Sequence, residues 1–119
     1  PYSMFLVKKG ELTLSSGDFI VFKKQNLPKF EKPMIKMVAG VEGDVVSINN
    51  SEFSINGIYL DKAKGFSRAG VKTKLSSEGV IPHGRYFVYA PHKDSFDSRY
   101  AEIGWIDRAD VIGRAYVIF

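Results

Sequence analysis

The chain has 119 residues, 45% of them hydrophobic and 25% charged, with a net charge of +4 and no cysteine. That length suits one domain with a true core, and the missing cysteine excludes a disulfide framework and a thiol nucleophile. The basic balance invites a nucleic-acid partner, yet neither an aromatic-basic binding motif nor a groove-entering helix accompanies it, so no nucleic acid is expected. A solvated basic surface is preferred, with a face toward anionic lipid heads as one form it can take.

In chain order, residues 2–7 read as an apolar strand, and Lys8-Lys9-Gly10 as the turn after it. Ser15-Ser16-Gly17-Asp18 is a turn feeding the buried run Phe19-Ile20-Val21-Phe22, and 25–33 is a polar loop with two prolines. Residues 34–41 form a strand that Glu42-Gly43-Asp44 turns into Val45-Val46-Ser47-Ile48. Asn49-Asn50-Ser51 is a hairpin signal before Glu52-Phe53-Ser54-Ile55, and Asn56-Gly57 after it is a stronger one, because both its positions tolerate positive φ. From 61 to 79 the chain is polar and basic, a surface excursion with little core of its own. Val80-Ile81-Pro82-His83-Gly84 returns it to the strand 85–90, a polar loop follows over 91–100, and 111–119 is the last strand. The fold class is mainly β: short antiparallel strands with Gly-rich turns and little helix. The whole of 1–119 reads as one soluble domain that starts inside a strand at Pro1, as a fragment lacking an upstream leader or anchor would.

Two places hold possible chemistry. Lys36 lies inside the apolar run Met34-Ile35-Lys36-Met37-Val38, sharing a strand face with Met34 and Val38. A desolvated lysine has a lowered pKa and can serve as a general base toward a serine hydroxyl. A lysine whose stem packs along the sheet while its head reaches water fits the same pattern. His83 and His92, the two histidines, each lie in a loop beside or near proline, and without cysteine they make no recognisable metal ligand set. No metal and no cofactor are expected. A Ser-His-Asp triad through His92 lacks a nucleophile-elbow motif.

Four blocks in order carry a resemblance. Gly17-Asp18-Phe19-Ile20-Val21-Phe22, the lysine block from Lys36 to the Gly43-Asp44 turn, Pro82-His83-Gly84-Arg85-Tyr86-Phe87-Val88, and Ser95-Phe96-Asp97-Ser98-Arg99-Tyr100 with Ile112-Gly113-Arg114-Ala115 follow one another. Together they resemble the type I signal peptidase family of serine-lysine peptidases, and more closely its conjugative-transfer branch, the TraF-type pilin peptidases. The resemblance spans Gly17 to Ala115. It implies a signal-peptidase-like barrel or sandwich in which Lys36 is the catalytic base. Ser95 would then orient the amine, and Asp97 and Arg99 would form a charge pair bracing the loop. Met37 stands where the family has arginine, Glu42 where it has proline, and Tyr89-Ala90-Pro91 where housekeeping members have Gly-Asp-Asn. The last change favours the conjugative branch.

The nucleophile is not matched inside the chain. Pro1-Tyr2-Ser3-Met4-Phe5 aligns with the conjugative motif from its proline onward, which places the serine two residues upstream of Pro1, with Ser3 the fallback. The resemblance thus implies the extracytoplasmic domain of an inner-membrane endopeptidase, held through an absent N-terminal anchor and inactive as this piece. It would cleave, or cyclise, an exported precursor such as a conjugative pilin. A catalytically inactive pilus assembly factor is the alternative, and a self-cleaving repressor a weaker one for want of DNA-binding helices. Met4, Phe5 and Leu6 are read as a plain buried strand before a substrate-cleft lining or a membrane contact.

Overall fold

The computed structural model describes residues 5–9, 13–24, 32–66, 70–91 and 95–118. Its strands are β1 (Phe5–Lys9), β2 (Phe19–Phe22), β3 (Met34–Gly40), β4 (Val45–Asn49), β5 (Glu52–Ile55), β6 (Ile58–Lys62), β7 (Gly79–Val80), β8 (Arg85–Tyr89), β9 (Ile106–Asp107) and β10 (Val111–Val117). They form a six-stranded sheet in the order β1-β10-β2-β3-β8-β9 and a four-stranded sheet in the order β6-β5-β4-β7. Each neighbouring pair is antiparallel. Among the described residues the one helical element is a 3-10 turn, Arg108–Asp110. This is the mainly-β architecture expected from the short, punctuated runs.

Local chemistry sets the turns. Asn56 and Gly57 both adopt positive φ (53° and 79°), as do Asn50 and Ser51 (52° and 67°). Two consecutive left-handed residues match the twist of tight hairpins. The two Gly-Asp blocks are one device used twice. Asp18 donates its N–H to the Ser15 carbonyl at 3.0 Å and accepts the Ser15 N–H on Oδ2 at 2.8 Å. Asp44 does the same with Val41, at 3.0 and 2.9 Å. The glycine before each aspartate has φ of 98° or 89°, which a bulkier residue would resist.

β8 explains how the core is laid out. Tyr86 and Val88 face a cluster with Ile20, Phe22, Val38, Ile103 and Ile106. Phe87 and Tyr89 face a second cluster with Val46, Phe53, Ile55, Ile81 and Tyr100. A strand covered on both faces needs no polar alternation, so 86–89 is a continuous apolar run. β3 beside it is divided likewise, with Met34 and Val38 toward the first cluster and Met37 and Ala39 toward the second. Phe96 packs against both clusters. Lys36, between Met34 and Val38 on β3, therefore projects from the face that carries the first cluster.

Gly40 and Gly113 show why those blocks need glycine. A Cβ on Gly40 would lie 2.7 Å from Ile81 Cδ1 and 3.3 Å from Phe87 Cβ, beside the register shift between β3 and β8. A Cβ on Gly113 would lie 2.4 Å from the Lys8 carbonyl oxygen of the neighbouring strand. There the obstacle is backbone.

Several expectations are corrected. Lys8 and Lys9 are not a turn but the end of β1, opposite Arg114 and Gly113; two charged residues mask an edge strand, where they keep contact with water. The excursion does not begin at 61, because β6 runs to Lys62. Nor is it without anchorage: Ala63 is buried, Leu75 bridges Tyr100, and β7 pairs with β4. The loop 95–100 is polar in composition yet buried from Asp97 onward. Ser3, Met4 and His92 lie outside the described residues, as do the side chains of Phe5 and Leu6.

Candidate active site

The site is assembled by β3, the end of β8 and the turn after Ser95. Lys36 is paired in register with Ile20 of β2 and extends from the middle of the six-stranded sheet. Its Nζ donates to Ser95 Oγ at 2.9 Å across 59 residues of sequence. The amine is half-buried, and its pKa falls below the usual lysine value. Burial is the main cause; the Arg99 charge adds to it and the Asp97 charge opposes it.

Behind Ser95 lies a buried ion pair. Arg99 Nε donates to Asp97 Oδ1 at 2.9 Å and Nη2 to Oδ2 at 3.0 Å, with the two residues 2% and 0% exposed. The planar fork fits the carboxylate with two parallel bonds. Asp97 also accepts the Arg99 N–H at 3.1 Å and the Ala90 N–H at 3.2 Å. Arg99 Nη1 donates to the Lys62 carbonyl at 2.8 Å and lies 3.4 Å from Asp61 Oδ2. Burial disfavours its charge, but the bonds to Asp97 outweigh this and raise its pKa.

Sequence reasoning left out the second ring of this network. Tyr89 donates its hydroxyl to Asp61 Oδ2 at 2.6 Å, and the Arg99 guanidinium stacks 5.1 Å from the Tyr89 ring and 5.6 Å from that of Tyr100. The Tyr89 phenol is pushed up to about 12, by burial and then by Asp61. Asp61 is held below the usual carboxylate range, chiefly by the Tyr89 hydroxyl. Ser98 ties the turn to β8: it accepts the Val88 N–H on Oγ at 2.8 Å and donates its own N–H to the Val88 carbonyl at 2.9 Å. No spacing marks Asp61 or Tyr89, which lie 28 residues apart. The available signal was an aromatic residue where the resembling family has Gly-Asp-Asn.

The basic excursion clamps the same turn from outside. Tyr100 Oη accepts the Lys64 N–H at 2.8 Å, and Ser76 donates its N–H to the Arg99 carbonyl at 3.0 Å. Ala101 donates to the Lys74 carbonyl at 2.8 Å. Elsewhere Arg114 reaches Asp18 at 2.9 Å, joining the last block to the first. His83 pairs with Glu42 at 2.5 Å on the surface, away from these groups. Among the described residues no group of three or more His, Cys, Asp or Glu is placed to hold a metal.

A half-buried amine on a hydroxyl, backed by a buried, bidentate ion pair, is equipped to accept a proton.

The chain is similar to proteins of known family. The chain is 30% identical over 109 residues to a signal peptidase I of Leptolyngbya laminosa, covering 87% of this chain and 51% of the relative. It is 28% identical over 112 residues to a Synechocystis sp. protein named "Probable signal peptidase I-2", covering 87% of this chain and 47% of the relative. The chain thus spans about half the length of these relatives. A crystal structure of a signal peptidase I from Enterococcus faecalis shares the fold, with a TM-score of 0.55 at 22% identity over 86% of this chain and 96% of that one. The family described as signal peptidase, peptidase S26, matches residues 3–119, and the chain belongs to that family.

Proposed function

We propose that this chain is the catalytic domain of a serine-lysine endopeptidase that processes exported precursor proteins. Lys36 is the general base, Ser95 orients its amine, and the Asp97–Arg99 pair holds the loop that carries Ser95. The nucleophilic serine comes from outside the described residues, from just upstream of Pro1 or from Ser3. An anchor preceding the chain holds the domain on the outer side of the bacterial inner membrane. The observation that carries this reading is the 2.9 Å contact between the half-buried Lys36 amine and Ser95 Oγ. Within exported precursors, a conjugative pilin is the narrower substrate that Tyr89-Ala90-Pro91 favours, released by water or cyclised by its own amino terminus.

In the reaction, neutral Lys36 takes the serine proton as the serine oxygen bonds to the scissile carbonyl carbon. The resulting ammonium returns that proton to the departing amine, leaving an acyl-enzyme. Water then attacks the acyl carbon with Lys36 again accepting the proton, and the serine is regenerated. The protein including its upstream segment, beside its Lys36→Ala variant, is mixed with a precursor and the products are weighed by mass spectrometry. Wild type alone should release a peptide, and the product mass separates hydrolysis from cyclisation. Binding of precursor by both proteins with cleavage by neither would replace this reading with a non-catalytic assembly factor.

A further inference from the structure

Arg99 has two carboxylates to choose between. Asp97 takes its Nε and Nη2 at 2.9 and 3.0 Å, whereas Asp61 Oδ2 stands 3.4 Å from Nη1, beyond the usual hydrogen-bond range. The two acids sit in unlike surroundings. Asp97 is fully buried behind the Lys36–Ser95 pair. The Asp61 side chain is 38% exposed and, with Pro91 and Arg99, lines a surface hollow of about 360 Å³. Opposite charges this close attract strongly, so Asp61 needs a restraint to stay at its distance.

Tyr89 supplies it. Its hydroxyl donates to the same Asp61 oxygen at 2.6 Å, a length typical of strong bonds to a charged acceptor, while the other oxygen accepts the Lys62 N–H at 2.8 Å. The phenol, pushed up to about 12, keeps its proton at working pH, and Asp61, held below the usual carboxylate range, keeps its charge. The Tyr89 ring also stacks 5.1 Å from the guanidinium, and its backbone lies opposite Met37, the neighbour of Lys36. One side chain thus walls Arg99 and tethers the rival anion.

We propose that Tyr89 is a positioning residue: its hydroxyl holds Asp61 off Arg99, so that the Arg99 fork stays on Asp97 behind the Lys36–Ser95 pair. Without that hydroxyl, Asp61 closes on Nη1 and draws the guanidinium outward into the hollow, and Asp97 then faces Lys36 without its counter-ion. Arg99 lowers the Lys36 pKa and Asp97 raises it, so withdrawing the one and baring the other both act upward. Of the strands beside Lys36, β2 brings no charge, and β8 brings Tyr86, Tyr89 and, at its far end, Arg85, which pairs with Asp107. Asp61 faces Tyr59 of its own strand besides Tyr89 and Arg99. The bearing on catalysis rests on the reading of Lys36 as the base; the geometry does not.

The test is an NMR titration of Lys36 in the 119-residue chain, isotope-labelled at lysine Cε, with its signal identified by its absence in Lys36→Met. Tyr89→Phe removes one oxygen and keeps the packing, and it should raise the Lys36 midpoint by about one pH unit. Asp61→Asn removes the rival and should not raise it. Tyr89→Phe/Asp61→Asn should return the midpoint to the wild-type value, a rescue that a packing defect would not show. Thermal unfolding checks that each variant folds. No rise in Tyr89→Phe, or a rise that Asp61→Asn leaves in place, would overturn the proposal. In the protein that includes its upstream segment, the acid limb of kcat/KM should follow the same midpoints. If wild type cleaves nothing while the midpoints move as stated, the positioning role stands and the peptidase reading falls. If cleavage needs Lys36 while the midpoints stay put, the positioning role alone falls.

Discussion

Arg99 and Asp97 meet through two parallel hydrogen bonds of 2.9 and 3.0 Å at a place with almost no exposure to water. A pair this deep is tolerable only because the remaining groups find partners, in the Ala90 N–H, the Lys62 carbonyl and Asp61. Removing one partner should therefore be worse than removing both. Asp97→Asn or Arg99→Met alone is expected to destabilise the fold by about 3–5 kcal/mol, as single breaks of buried pairs do. Asp97→Leu/Arg99→Met should cost clearly less than the sum of the two, which a double-mutant cycle in urea would read.

Lys36 and Ser95 should separate kinetically. Lys36→Ala, in the protein that includes its upstream segment, should lower kcat by about 10²–10⁴, the range for losing a positioned base. Ser95→Ala keeps the amine and loses only its guide. It should lower kcat by a smaller factor and leave KM nearly unchanged, with residual activity that Lys36→Ala lacks. Steady-state kinetics on a precursor peptide decides this, and equal losses would mean that Ser95 does more than orient.

The lowered pKa of Lys36 also has a stability signature. Between its folded-state value and the ordinary 10.5, the unfolded chain holds a proton that the folded chain has released. Folding stability should rise with pH through that window relative to Lys36→Met, which lacks the group. Below the folded-state value both states are protonated, and the penalty for burying the charge is felt in full. Chemical denaturation of both proteins from neutral pH to above 10.5 would show the two curves converging or crossing upward for wild type. The acid limb of kcat/KM should titrate at the same lowered value.

The two block glycines should differ in sensitivity. Gly113→Ala sets a Cβ against the Lys8 backbone carbonyl at 2.4 Å, which yields only if β1 moves away from β10. Gly40→Ala meets chiefly the tip of Ile81 at 2.7 Å, which can rotate aside. Overpacking of this kind costs about 1–3 kcal/mol, and Gly113→Ala should lie at or above the upper end. Thermal unfolding of the two variants compares them directly; a reversed order would show that β1 is free to shift.

Much of the fold was legible because its determinants are local. Asn56-Gly57 and the two Gly-Asp turns need only neighbouring residues and the φ values that glycine and asparagine accept. Runs such as Phe19-Ile20-Val21-Phe22 mark buried strands by composition. Lys8 and Lys9 misled because charge in a strand is common on an edge, and being an edge is a property of the sheet. Asp61 and Tyr89 were invisible because their partnership depends on a chain path that brings β6 beside the end of β8. The polar loop after Pro91 gave no sign that its last four residues, Asp97 to Tyr100, would be sealed from water, since exposure is set by what packs over them.

The sequence by itself determined most of the strands, the Asn-Gly and Gly-Asp turns and the ordered blocks that mark the family. These follow from short-range sterics and residue type. Only the tertiary structure decided that Lys36 meets Ser95 and that Arg99 is clasped by Asp97 with Asp61 held beside it. Hydrogen bonding and burial are relations between distant segments, and their energies exist only when two sheets close around them.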